Sequence, residues 1–171
     1  MLLNAADQLS DIFKNNRLPI SIKLKTFDTY LSTIFLYNSE LWSLTETMNN
    51  KIDSFHRRML RTLVLNIKYP KIMKNEEVYR KTKQQHWSQK IKTRRLKWLG
   101  HVLRLDPRTP AAKSLKYAME RYRKKQGRPK SNWINTVEKQ LKEINIKIQD
   151  VSLLAQNKKQ WRYIVYSTES N

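Results

Sequence analysis

The chain has 171 residues, 39% of them apolar and 29% charged, which is typical of a globular protein and excludes an intrinsically disordered one. It contains no cysteine, so disulfides, thiolate zinc sites and thiol catalysis are excluded. With 35 Lys and Arg against 14 Asp and Glu, the net charge is +21, and an excess of this size predicts a polyanionic partner, most often nucleic acid.

The sequence has the features of neither a membrane segment nor a secretory signal. No apolar run approaches the roughly 18 residues of a transmembrane helix, which predicts no membrane partner. The apolar residues 1–6 are followed closely by Asp7 and have no basic residues before them, unlike a secretory signal. A nuclear or cytoplasmic location, without secretion, is therefore expected.

Apolar residues recur at helical spacing along almost the whole chain, and only two glycines occur, which predicts an all-α fold. A short first helix begins near Leu2. A second opens after Pro19 and runs to about Tyr37; because it is rich in aromatic residues and apolar on most sides, it is expected to be buried on most sides. Thr45 is a candidate N-cap for a third helix, and Asn75 marks the start of a short fourth.

The fifth predicted helix begins near Trp87 and ends before Asp106-Pro107, with an apolar stripe for the core on one side. The other side carries basic residues at helical spacing with no acidic residue between them: Lys90, Arg94, Lys97, His101 and Arg104. Such a face suits the phosphate backbone of a nucleic acid, although a solvated helix face has the same pattern. Arg95 projects into the apolar arc, where it is expected to snorkel to solvent or to stack on Trp98.

The positive charge is concentrated in one part of the chain. Residues 78–137 contain 18 Lys and Arg and two acidic residues, so they carry +16 of the net +21. A helix opened by Pro110 leads there into a basic connector, which supplies the remaining predicted binding residues: Arg123, Lys124, Lys125, Arg128 and Lys130. Within it, Gly127-Arg128-Pro129 resembles the core of an AT-hook, which lies in a narrow minor groove; a simple turn before the next helix is the alternative.

Beyond the connector, apolar spacing predicts a helix around Ile134 and a last helix that Asp150 caps and that runs through Trp161. The five tryptophans each lie on or beside an apolar stripe, which favours core packing over base stacking. No catalytic constellation is apparent, because the acidic residues are scattered, no Gly-rich phosphate loop occurs and the three histidines are far apart in sequence. On its own the chain is therefore predicted to be no enzyme and to hold neither metal nor cofactor.

Several segments, in order along the chain, match one known family. Residues 34–42 (IFLYNSELW) match a segment usually read LLYGSETW, and residues 52–61 (IDSFHRRMLR) match LDxFHRRCLRRI. The most distinctive match is residues 94–104 (RRLKWLGHVLR) to RRLRWLGHVLRM. The departures from the family forms include Asn38 for Gly, Leu41 for Thr and Met59 for Cys.

Two further matches lie downstream. Gly127-Arg128-Pro129 with Trp133 falls where the family has GRPxxxW, and Trp161-Arg162 falls where it has DRxxWR. With these segments the chain resembles, nearly end to end, the carboxy-terminal region of the endonuclease–reverse transcriptase polyproteins of non-LTR retrotransposons, of the RTE-like kind.

The resemblance implies a thumb followed by a basic extension. It divides the chain into a thumb-like helical region (1–68), a connector with a short helix (69–86) and a basic carboxy-terminal helical extension (87–171). The expected fold is two packed helical sub-bundles with a basic surface. The parent polyproteins carry out target-primed reverse transcription with an RNA-directed DNA polymerase and an endonuclease, and their polymerase Asp pair lies upstream of this region. The chain is thus expected to bind RNA, an RNA–DNA hybrid or DNA without polymerising.

Two alternatives remain open. A domesticated DNA-binding or architectural protein would read duplex DNA through Gly127-Arg128-Pro129. A non-functional product of a truncated element would leave its thumb helices without the palm that covers them in the parent, and the exposed apolar surface would favour self-association.

Overall fold

The computed structural model describes residues 2–68, 70–120 and 132–167, and all the regular structure in these ranges is helical, which confirms the predicted all-α fold. In chain order the helices are α1 (Leu2–Gln8), α2 (Ser10–Lys14), α3 (Ile20–Thr26), α4 (Thr33–Phe35), α5 (Glu46–Met59), α6 (Asn75–Thr82), α7 (Trp87–Leu103), α8 (Pro110–Glu120), α9 (Trp133–Glu143), α10 (Val151–Gln156) and α11 (Lys158–Ser167). A π-helical segment (Phe27–Ser32) joins α3 to α4, another (Leu60–Val64) continues α5, and Ser39–Leu41 forms a 3₁₀ turn. None of the helices in the described ranges is long and apolar enough to cross a lipid bilayer.

The chain divides into two compact units that are not consecutive in sequence. The first comprises Met1–Asn38 and Glu46–Ser88, and the second comprises Ser39–Thr45 and Gln89–Asn171. The division therefore falls near the start of α7, and a short piece of the second unit lies between the two pieces of the first. The limits that the family resemblance implies, at residues 68 and 86, divide the chain differently and stay a prediction.

The first unit is built around the indole of Trp87. This ring stacks on Phe35, with ring centroids 4.2 Å apart, and on His56, with centroids 4.4 Å apart and 9° between the planes. Trp87, His56 and Phe27 are all fully buried. For Trp87, the expectation of core packing is confirmed, and the imidazole of His56 serves here as a flat packing surface.

The two π-helical segments lie in the first unit and shape its core. In a π turn the backbone hydrogen bond spans five residues instead of four, as in the 2.9 Å bond from Leu65 N to Leu60 O at the end of the second segment. Each segment buries two apolar residues spaced by four, Phe27 with Leu31 and Leu60 with Val64. The wider turns thus give each of these two helices a pair of core side chains.

The expectation that the second predicted helix is buried on most sides is wrong at two positions. Tyr30 is 55% exposed and Tyr37 is 74% exposed. Tyr37 follows the end of α4 at Phe35, and Tyr30 lies to one side of the buried pair within its π turn. Helical periodicity alone placed both rings in the core, because it assumes a regular α-helix that continues to Tyr37.

Asparagine occupies several of the left-handed backbone positions at helix ends where glycine is usually found. Three of the four non-glycine residues with positive φ in the described ranges are Asn38 (53°), Asn66 (50°) and Asn145 (57°). After Asn145 the chain closes a hydrogen bond of 2.9 Å from Ile146 N to Leu141 O. Asparagine tolerates the left-handed conformation that such an ending needs, so a chain with two glycines still terminates its helices sharply.

The second unit packs α7 against the later helices. Its buried core comprises Leu96, Leu99, Val102, Leu115, Ile134, Val137, Leu141, Val151, Ala155, Trp161 and Val165. The indole of Trp161 lies directly on the backbone at Gly100, and its Nε1 donates a hydrogen bond of 3.0 Å to the Leu96 carbonyl. This contact sets α11 against the middle of α7.

The last helix predicted from the sequence is two helices. Asn157 separates α10 from α11, and its Oδ1 accepts hydrogen bonds of 3.1 Å from the backbone N–H groups of Lys159 and Gln160, so it caps α11. Asp150 precedes α10, but its side chain makes no cap hydrogen bond. The expectation of one continuous helix was wrong because apolar spacing carries no signal of a change in helix direction.

Two side-chain hydrogen-bond donors, from Arg95 and Trp133, bind the short piece Ser39–Thr45 to the rest of the second unit. The Arg95 Nη2 donates to the carbonyl of Trp42 at 2.7 Å, and the Trp133 Nε1 donates to the carbonyl of Glu40 at 2.8 Å. Arg95 is 1% exposed, so the expectation that it snorkels to solvent is wrong. Burial lowers the pKa of Arg95 to about 10, which still leaves the guanidinium charged at neutral pH.

Candidate nucleic-acid interface

The five basic positions predicted on α7 differ in their surroundings. Lys97 and His101 are exposed, whereas Lys90 and Arg94 are half-buried. Arg104 lies just beyond the end of α7, and its Nη1 donates to the carbonyl of Ala155 in α10 at 2.8 Å. Arg104 therefore holds two helices together, and the exposed part of the predicted set is Lys97 with His101.

Lys97 lies beside two residues of α11 that the basic spacing on α7 did not predict as binding residues. Its Nζ lies 4.2 Å from the ring centroid of Tyr166, and the Cζ of Arg162 lies 5.5 Å from the same centroid. Arg162 and Tyr166 are spaced by four residues, so they share one side of α11. The three side chains form one cluster that two helices supply.

The packing between α7 and α11 explains why these side chains meet. Trp161 is buried against Leu96, and the next residue on each helix, Arg162 and Lys97, is rotated about 100° toward the surface. The motif Trp161-Arg162 contained the signal: a buried tryptophan followed at once by a cation. Its relation to Lys97 required the tertiary structure.

The charges at this cluster are all of one sign. Hydrogen bonding to Lys97, together with the charges of Lys97 and Arg162, lowers the pKa of the Tyr166 hydroxyl. Neither the 17 residues of α7 nor the 10 residues of α11 include an Asp or a Glu. Ion pairs in the described part of the second unit include Lys92 with Glu143, Lys116 with Glu120, and Lys142 with Glu138, and none of these three uses Lys97 or Arg162.

Two more exposed side chains border the cluster. His101 follows Lys97 by one turn of α7, and its ring centroid is 5.4 Å from that of Trp98. Tyr163 precedes Tyr166 by one turn of α11 and is 76% exposed. We call the surface formed by Lys97, His101, Arg162, Tyr163 and Tyr166 the α7–α11 face.

The second predicted group of binding residues lies outside the described ranges. It comprises Arg123, Lys124, Lys125, Arg128 and Lys130, between the end of α8 and the start of α9. The AT-hook interpretation and the turn interpretation of Gly127-Arg128-Pro129 therefore both stay predictions.

One cluster in the first unit has the residue types of a hydrolase site but a different arrangement. The carboxylate of Asp53 accepts hydrogen bonds from Ser88 N at 3.0 Å and from Ser88 Oγ at 2.6 Å, and lies 3.2 Å from His86 Nδ1. In a nucleophilic triad the serine bonds to the imidazole, whereas here it bonds to the carboxylate. Asp53 is thus a cap that α5 supplies to the first turn of α7.

Within the described ranges, no three His, Asp or Glu side chains lie close enough together to hold a metal ion. No model of a known protein family, no curated protein and no solved structure matches this chain.

Proposed function

We propose that this chain is a nucleic-acid-binding module whose ligand is RNA or an RNA–DNA hybrid. The observation that carries the proposal is the concentration of charge: residues 78–137 hold +16 of the net +21. Charge added for solubility would be spread over the surface, whereas a local excess attracts a polyanion and is offset when the polyanion binds. Phosphate contacts of this kind give affinity and strong salt dependence with little sequence selectivity.

The α7–α11 face supports the proposal at the level of side chains. Lys97 and Arg162 are exposed cations on two helices without acidic residues, so no carboxylate of those helices competes with a phosphate for them. Both sit next to the hydroxyl-bearing ring of Tyr166, which adds a neutral donor. Cations and a hydroxyl group close together match the oxygen-rich surface of a nucleic-acid backbone.

The resemblance to retrotransposon polyproteins supplies the wider role that we propose. The chain would be a carboxy-terminal fragment of a reverse transcriptase that holds RNA or the hybrid and lacks the polymerase and endonuclease sites. Several of the matched positions have structural roles in this fold: Gly100 receives the Trp161 indole, Asp53 caps α7, and His56 stacks on Trp87. Those motif residues are therefore explained by packing, and the binding role is assigned to the exposed residues beside them.

A salt-dependent titration tests the proposal. The purified chain is titrated against fluorescent RNA–DNA hybrid, single-stranded RNA and duplex DNA at several salt concentrations. The slope of the logarithm of the binding constant against the logarithm of the salt concentration is about 0.9 per phosphate contact on B-DNA and roughly 0.7 on single strands. We expect tight, steeply salt-dependent binding with RNA or hybrid preferred.

A pair of variants with equal net charge locates the site. The double variant Lys97→Gln with Arg162→Gln removes two cations from the α7–α11 face, and Lys14→Gln with Lys147→Gln removes two exposed cations elsewhere. The first double variant should lower the affinity. It should also reduce the magnitude of the salt slope by about 0.7 per lost contact on single-stranded RNA. If wild-type protein binds none of the three ligands, the proposed function is wrong; if both variants lose affinity equally, the α7–α11 face is not the site.

A further inference from the structure

Two tyrosines on α11 stand out among the exposed side chains of the second unit. Tyr163 is 76% exposed and Tyr166 is 40% exposed, and they are spaced by three residues, so they are neighbours on the helix surface. Exposing an aromatic ring to water forgoes the free energy of burying it. Two such rings beside a cation cluster form a mixed surface, apolar on one part and positively charged on the other.

The cations at this surface are already held in place. The ammonium of Lys97 lies over the Tyr166 ring, and the guanidinium of Arg162 approaches the same ring from α11 itself. A lysine or arginine that must be ordered on binding loses rotamer entropy, so contacts made beforehand lower that cost. The hydrogen bond from Lys97 and the charges of Lys97 and Arg162 also lower the pKa of Tyr166, which is the effect of a positive potential at its hydroxyl oxygen.

We propose that the α7–α11 face binds single-stranded nucleic acid one nucleotide at a time, with an unpaired base stacked on Tyr163 and its phosphate held by Lys97, Arg162 and the Tyr166 hydroxyl. This inference rests on the proposed function and names the ligand class for it. A phosphate beside Tyr166 leaves Tyr163, one helical turn away, as the neighbouring flat surface for the base. Base–aromatic stacking of this kind tolerates any sequence, because every base has a π face.

The expected preference for single strands over duplexes follows from the geometry of the ligand. Inside a duplex the faces of the bases are covered by the base pairs above and below, so away from the duplex ends only an unpaired base can stack on a protein ring. Phosphates, in contrast, are present on both kinds of nucleic acid. The Tyr163 contact should therefore separate single strands from duplexes, whereas Lys97 and Arg162 should contribute to both.

The test compares tyrosine variants matched in exposure. Tyr163→Ala removes the proposed stacking ring, Tyr163→Phe keeps it, and Tyr37→Ala removes a ring that is 74% exposed in the first unit. Each full-length variant is titrated with single-stranded oligouridylate, single-stranded oligothymidylate and a blunt DNA duplex. Tyr163→Ala should weaken binding of both single strands by about five- to one-hundred-fold, the range measured for losing one stacked base.

The controls make the outcomes distinct. Tyr163→Phe and Tyr37→Ala should bind the single strands as wild type does, and Tyr163→Ala should bind the duplex as wild type does, with an unchanged salt slope on every ligand. Suppose that wild-type protein binds in a salt-dependent manner, but Tyr163→Ala lowers the affinity for single strands no more than Tyr37→Ala does. The proposed stacking on Tyr163 is then wrong, while the proposed nucleic-acid binding stands. If Tyr163→Ala weakens duplex binding equally, the ring acts without regard to strandedness and the inference is also overturned.

Discussion

The indole of Trp161 occupies the space that a side chain at position 100 would need. A Cβ built on Gly100 would overlap the Trp161 Nε1 atom and would lie 2.9 Å from Cε2. The same Nε1 donates a hydrogen bond of 3.0 Å to the Leu96 carbonyl, so the ring has little freedom to move aside. Close contact between α7 and α11 thus depends on a residue without a side chain in the middle of a 17-residue helix.

Gly100→Ala should destabilise the protein despite improving helix propensity. Alanine favours a helix over glycine by about 1 kcal/mol, whereas forcing a methyl group into this contact costs about 1–3 kcal/mol. Chemical unfolding followed by circular dichroism measures the net change. In a Trp161→Ala background the same substitution should turn stabilising, because the obstructing ring is gone; a stabilised single variant would contradict the contact described here.

Asp53→Ala should lower stability through the start of α7. The substitution leaves the Ser88 N–H and hydroxyl without the carboxylate that accepts from them, and loss of an N-terminal cap costs about 0.5–2 kcal/mol. Thermal and denaturant unfolding should both report it. Asp7→Ala removes an exposed carboxylate of α1 and should change stability by less than about 0.5 kcal/mol, so an equal effect of the two variants would argue against a capping role.

Arg95 offers a test of a buried cation that binds a backbone carbonyl. Arg95→Met keeps a long side chain in the core and removes a charge that burial disfavours, so its cost should be small or even negative. Arg95→Ala removes the charge as well but leaves a cavity, which should cost about 2–5 kcal/mol by analogy with large-to-small core substitutions. Comparing the two unfolding midpoints checks the ranking, and a methionine variant as unstable as the alanine variant would show that the bond to Trp42 dominates.

The raised pKa of Tyr79 predicts that the protein loses stability in alkaline solution. Burial, followed by the nearby charge of Asp53, raises the pKa of Tyr79 from 10.0 to about 12. Below pH 10 both the folded and the unfolded phenol keep the proton, so this residue gives no pH dependence there. Between pH 10 and 12 the unfolded chain releases the proton first, and the free energy of unfolding should fall.

The matching control is Tyr79→Phe, which cannot ionise. The difference in unfolding free energy between wild type and Tyr79→Phe should be constant below pH 10 and should shift in favour of the variant as the pH rises toward 12. Lysines also titrate in this range, but they do so in both proteins and cancel in the difference. A difference that stays flat up to pH 12 would mean that Tyr79 ionises as easily folded as unfolded.

The sequence predicted the parts of the fold that local pattern governs. Helical spacing of apolar residues predicted the all-α class, and the stripe on α7 correctly placed Leu96, Leu99 and Val102 in the core. It failed where the local pattern is ambiguous. Arg95 was expected to snorkel to solvent or to stack on Trp98, whereas its carbonyl partner, Trp42, is 53 positions away in the chain and gives no local signal.

The candidate site was accessible to sequence reasoning only in part. The basic spacing on α7 selected Lys97 and His101, which are exposed, but it gave the same weight to Arg104, which binds the carbonyl of Ala155. Arg162 had only the weak signal of a cation directly after the predicted core residue Trp161, and Tyr166 had no local signal of its own. Their meaning comes from the packing of Trp161 against α7, which periodicity cannot show.

The order of the two units along the chain restricts how this protein can be divided. Ser39–Thr45 belongs to the second unit, although the first unit supplies the residues before and after it. A single cut at any point between residues 45 and 89 therefore removes from the second unit the carbonyls that Arg95 and Trp133 bind. A single breakpoint that keeps the whole second unit must therefore also keep Glu46–Ser88 of the first unit, so one cut cannot separate the two units.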